Sequence, residues 1–166
     1  NANAATLSNN VLNLEPANGS FGGVVTTTAQ TIAGVKTFTS DAVINTNTVG
    51  LGAGSVATNT VVGFQALRNN TIGAFNTVLG YQALDSNTTG RFNIAIGYRA
   101  LLNNSFSNGG VVWNPANIAI GYQSMLNTKS TTTTNGFQNT AIGSNSLANN
   151  TTGSRNNAIG VNAINT

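Results

Sequence analysis

The stretch Asn93-Ile94-Ala95-Ile96-Gly97-Tyr98-Arg99-Ala100-Leu101 decides how this chain is read. It runs Asn, a small or β-branched pair, an aliphatic, Gly, two variable residues, Ala or Ser, and an aliphatic. The same phrase stands upstream as NTVVGFQAL from Asn59 and NTVLGYQAL from Asn76. It stands downstream as NIAIGYQSM from Asn117, NTAIGSNSL from Asn139 and NNAIGVNAI from Asn156. The phrase glycines, Gly63, Gly80, Gly97, Gly121, Gly143 and Gly160, are spaced 17, 17, 24, 22 and 17 residues apart. A degenerate copy, TVGLGAGSV from Thr48, precedes them.

A fixed short period with Gly, Asn and Thr at set places is the signature of stacked supersecondary units that bury their apolar faces against one another. The connectors, Ser86-Asn87-Thr88-Thr89-Gly90 and Asn149-Asn150-Thr151-Thr152-Gly153, are rich in residues that tolerate positive φ and read as turns. They leave segments of about four residues, which suits strands better than helices. The expected fold is all-β: a repetitive β-solenoid or β-roll with coils of about 17 residues over 48–166, preceded by a shaft or docking segment over 1–47. In that leading segment Val11–Leu14, 24–28 and 35–39 read as strands.

Within the phrase, Val62, Leu79, Ile96, Ile120, Ile142 and Ile159 occupy one position, and Val61, Val78, Ala95, Ala119, Ala141 and Ala158 the one before it. Successive strand residues point to opposite faces, so both faces are apolar and both call for cover. The expectation is that the larger aliphatics fill the coil interior and the small residues meet a partner chain. The Asn column (Asn59, Asn76, Asn93, Asn117, Asn139, Asn156) either forms an amide ladder along the stack or simply occupies turns.

Composition narrows the function. Charged residues make up 5% of the 166, where an ordinary soluble domain has about 25%. The polar balance comes from 29 Asn and 24 Thr. With no Cys and no His, zinc, haem, iron–sulfur and His-based catalysis lack their ligands and bases. Glu15, Asp41 and Asp85 are the only acids, too few and too scattered for a carboxylate pair or a calcium cage. No Ser or Thr has a base to activate it. The chain is therefore read as no enzyme, with no cofactor and no metal. Six dispersed cations, for a net charge of +3, are a poor phosphate footprint, so nucleic acid is not an expected partner. No apolar run reaches the ~18 residues of a membrane span, so membrane insertion is not expected either. Asn1 in place of Met is read as the start of a processed chain or a fragment.

The kernels Ala95-Ile96-Gly97-Tyr98-Arg99-Ala100 and Ala141-Ile142-Gly143-Ser144-Asn145-Ser146 resemble the head repeats of trimeric autotransporter adhesins. The longer phrase with its NTTG connector resembles repeats of bacteriophage tail fibres, and residues 27–40, TTAQTIAGVKTFTS, resemble a shaft element of those fibres. The period here is longer than in the adhesins, which favours the phage family. The resemblance implies an elongated parallel homotrimer that serves as a structural and adhesive fibre segment, extracellular on the virion. Its partners would be itself, adjacent fibre or baseplate proteins and a host surface glycan. A bacterial trimeric surface adhesin on the cell surface is the alternative, and an ice-binding solenoid a third reading.

Candidate recognition residues sit where the period lengthens. Gly97 to Gly121 carries seven residues beyond the 17-residue coil and Gly121 to Gly143 carries five. Such insertions emerge as surface loops. Phe106, Trp113, Asn114, Lys129 and Phe137 are the candidates for sugar stacking and hydrogen bonding there, the alternative being that Trp113 and Phe137 fold back to cover the coil ends. The column Phe64, Tyr81, Tyr98 and Tyr122 is read either as a sugar platform or as corner packing.

Overall fold

The computed structural model describes Ala5–Ser8, Val11–Leu14 and residues 40–105 and 110–164. Two compact units divide between Thr37 and Phe38, so the expected leading segment 1–47 falls partly in each. In the first unit, β1 (Ala5–Ser8) pairs antiparallel with β2 (Val11–Leu14). The β2 bounds are those of the expected strand. The strands expected over 24–28 and 35–39 lie outside the described residues.

The second unit holds one open eight-stranded sheet in chain order. It begins with an antiparallel pair, β3 (Ala42–Ile44) and β4 (Asn47–Gly50). Next come β5 (Thr60–Gly63), β6 (Thr77–Leu79), β7 (Ile94–Ile96), β8 (Ile118–Ile120), β9 (Thr140–Ile142) and β10 (Asn157–Ile159). From β5 to β10 every neighbour is parallel and each phrase pairs with the next in the same register, as Ala95 opposite Ala119 and Ala119 opposite Ala141. The insertions therefore leave the strand register untouched. The degenerate phrase from Thr48 does not join this parallel series: β4 runs against β5, with Thr48 opposite Gly63. The Asp41 carboxylate holds its end by accepting from the Leu51 N–H at 2.7 Å and the Gly52 N–H at 3.0 Å.

A single-turn 3-10 helix, Ala53–Ser55, lies between β4 and β5, and the chain between the parallel strands is turn among the described residues. In Tyr81-Gln82-Ala83-Leu84, Gln82 and Leu84 have φ of 53° and 50°, and each complete repeat places the same two positions in the left-handed region. Each such residue costs about 1–2 kcal/mol against the right-handed form. Backbone bonds between successive repeats offset it: the Leu84 N–H donates to Ala100 O at 2.9 Å and the Arg99 N–H to Tyr81 O at 2.9 Å. The phrase glycine is demanded twice. Gly97 has φ of 128°, and a Cβ there would lie 2.5 Å from Gly121 O.

The core inverts the expected facing. Val61, Val78, Ala95, Ala119, Ala141 and Ala158 are at most 2% exposed within the single chain. Opposite them, Leu67, Leu84, Leu101, Met125 and Leu147 are at most 1% exposed. The larger strand aliphatics point outward, with Leu79 at 47% and Ile159 at 75%. The physical reason is cross-section. Each repeat encloses room for one large side chain, and the turn supplies it, so the strand must present a small residue across from it. Ser124 and Ser146 replace Ala beside that core and donate to Ala141 O at 3.0 Å and Ala158 O at 3.1 Å, which keeps their buried hydroxyls bonded.

Candidate interaction surfaces

The phrase asparagines form a ladder inside the chain. The Asn76 N–H and side-chain amide both donate to Asn59 Oδ1, at 3.0 and 3.3 Å. Asn93 repeats the pair on Asn76 Oδ1 at 3.0 and 3.1 Å. Oδ1 of Asn93, Asn117 and Asn139 accepts the backbone N–H of Asn117, Asn139 and Asn156 in turn, at 3.2, 2.9 and 2.9 Å. The column is buried along most of its length, so it is scaffold rather than surface.

Outside, the strand face carries Leu79, Ile142 and Ile159 among its exposed aliphatics, beside the rings of Phe64, Tyr81, Tyr98 and Tyr122. The rings stack along the column at centroid distances of 5.8, 5.3 and 5.2 Å. Their faces are thus largely spent on one another, and mainly edges reach solvent, which is packing geometry rather than a row of sugar platforms. A polar row flanks them: Gln82 Nε2 donates to Gln65 Oε1 at 2.8 Å, Arg99 Nε donates to Gln82 Oε1 at 2.9 Å, and the Arg99 guanidinium lies 5.1 Å from the Tyr98 ring centre. At the start of this face Ile44, Val49, Val62, Phe64, Leu79 and Tyr81 line an open groove of about 400 Å³.

The candidates from the insertions separate. Phe106 lies outside the described residues. Trp113 is 3% exposed and sits against Gly90, with which it forms a parallel bridge. Of the two readings open for this residue, surface ring or indole folded back on the coils, its burial matches the second. Gly90 leaves room for the indole, since a Cβ on it would lie 3.2 Å from Trp113 Nε1. Asn114 and Lys129 are exposed and Phe137 is half-buried under the Arg155 guanidinium, 5.1 Å from its ring centre. The roots of the two insertions meet, with Ser105 bridged to Lys129. The second insertion closes on itself: Asn135 Oδ1 accepts from the N–H of Thr131 at 2.9 Å and of Thr132 at 3.2 Å.

A second exposed column was not among the sequence candidates. Phe75 and Phe92 stack at 5.0 Å with an interplanar angle of 4°. The signal for it is the residue just before each phrase Asn: Thr58, Phe75, Phe92, Ala116, Gln138 and Arg155. Among the described residues no group of three or more His, Cys, Asp or Glu side chains could hold a metal ion, and no helix is long and apolar enough to cross a membrane. No protein-family model, curated protein or solved structure matches this chain.

Proposed function

We propose that residues 48–164 are a β-solenoid segment of a homotrimeric fibre, the chains parallel, belonging to a bacteriophage tail fibre and serving attachment to a host cell surface. The observation that carries the reading is the outward strand face. Every phrase puts at least one exposed large apolar side chain on this face (Phe64, Tyr81 with Leu79, Tyr98, Tyr122, Ile142, and Ile159 with Val161), and such a row of apolar exposure along one face marks an association surface. Because the row runs along a parallel register, a second copy can meet it repeat by repeat, and a rotational arrangement closes the set. The resemblance of 27–40 and of the phrase itself to tail-fibre elements supplies the family context. The small residues once expected at the partner face are already buried in the chain's own core, so the large aliphatics take that role. Light scattering on the purified chain tests this. A mass near three times the 16.9 kDa of one chain is expected, and an Ile96→Ser, Ile120→Ser pair should lower it while the circular dichroism spectrum stays the same. A folded monomer at micromolar concentration refutes the trimer.

A further inference from the structure

The column that precedes the Asn ladder ends its aromatic stack abruptly. Its register is set by the backbone: the N–H of Phe92, Ala116, Gln138 and Arg155 donates to the carbonyl of Ala74, Arg91, Pro115 and Phe137, at 3.1, 3.3, 2.6 and 3.0 Å. Phe75, Phe92, Ala116, Gln138 and Arg155 share the left-handed backbone, with φ of 58°, 61°, 47°, 54° and 60°. One face of the Phe92 ring is covered by Phe75 at 5.0 Å. The other faces the next repeat, where the side chain at this position is only the methyl of Ala116. One repeat further stands Gln138, whose Oε1 accepts from Arg155 Nε at 3.4 Å.

Between the Phe92 ring and the Gln138 side chain, two repeats apart, the column thus carries only a methyl, which leaves a notch in the row of side chains. Adjacent strands lie about 4.7–4.9 Å apart, so the level of Gln138 is roughly 10 Å from the plane of Phe92. A flat ring needs about 3.5–4.0 Å on each face, some 7–8 Å in all, so one ring fits and two do not. We infer that this notch binds a single pyranose ring of a surface glycan. The C–H face of the sugar lies on the open face of Phe92, and its rim hydroxyls meet the Gln138 amide and the Arg155 guanidinium. A pyranose suits the notch better than an aromatic ring because its two walls differ, one apolar and one rich in donors. The inference deepens the attachment role proposed above and rests on it for its biological meaning. The binding itself is read separately from the trimer's mass, so either can fail alone.

The test is saturation-transfer NMR on the full chain with the methyl glycosides of glucose, galactose, mannose, N-acetylglucosamine and glucuronic acid. Transfer to the ring C–H protons of at least one, with a dissociation constant on the millimolar scale, is the expected result. Ala116→Phe should continue the Phe75–Phe92 stack, on a backbone that already carries Phe in two repeats. It should leave the melting temperature unchanged or raised and reduce binding at least tenfold. Gln138→Ala should weaken binding roughly three- to tenfold, the size of one neutral hydrogen bond. Phe92→Ala should abolish binding and serves as the decisive variant if Ala116→Phe does not fold. No transfer from any glycoside at about 20 mM, well above a millimolar constant, or equal binding by wild type and Phe92→Ala, overturns the proposal.

Discussion

Replacing Asn93 by Ala is the sharpest probe of what holds the repeats together. Asn93 is fully buried. Its side-chain amide donates to Asn76 Oδ1 at 3.1 Å and its Oδ1 accepts the Asn117 backbone N–H at 3.2 Å. Truncation loses the first bond, about 0.5–1.5 kcal/mol net, and leaves the buried Asn117 N–H without an acceptor, about 1–3 kcal/mol more. The expected loss is about 2–4 kcal/mol. At about 2–4 °C per kcal/mol for a chain of this size, the melting temperature should fall by roughly 5–15 °C. Asn156 provides the internal control. It stands in the sixth phrase, where its side-chain amide donates to Asn139 Oδ1 at 3.1 Å and where, among the described residues, no phrase Asn donates to its own Oδ1. Asn156→Ala should therefore lose only about 0.5–1.5 kcal/mol. Both are measured by thermal melts in circular dichroism at one fixed protein concentration, since association would make the midpoint concentration-dependent. If the two variants melt together, or if Asn93→Ala stays within about 0.5 kcal/mol of wild type, the typical range of a neutral surface change, the ladder is not a stabilising device and the asparagines merely occupy turns.

Gly97→Ala forces a Cβ to 2.5 Å from Gly121 O at a φ of 128°; the expected cost exceeds about 4 kcal/mol, seen as loss of the folded spectrum. Ala119→Leu overfills the chain's own core and should cost about 1–3 kcal/mol in urea titration. An unchanged midpoint would contradict the burial of Ala119 opposite the Leu and Met column. Excess EDTA should leave the melting curve where it was, and a chelator-induced fall would require a metal site that the three acids and absent His and Cys do not suggest.

By itself the sequence determined the period, the strand positions and the one position per repeat that must be Gly. It also named the Asn column, while leaving open whether that column was ladder or turn. These are local or translational properties: a residue type recurring at one spacing stacks on itself once the repeats are in register, and Asn, Gly and β-branched residues carry their preferences with them. Tertiary structure decided which strand face is inside. Val78-Leu79 and Ala95-Ile96 are apolar at both positions, so alternation marks two buried-type faces without saying which is enclosed. The answer depends on Leu84 and Leu101, which arrive from across the repeat on left-handed turns and fill the only large space there. The same long-range closure buried Trp113 against Gly90 and turned the Thr48 copy antiparallel to Thr60–Gly63. It also lined up Phe92, Ala116 and Gln138, residues 24 and 22 apart, in one column that has no contiguous trace in the chain.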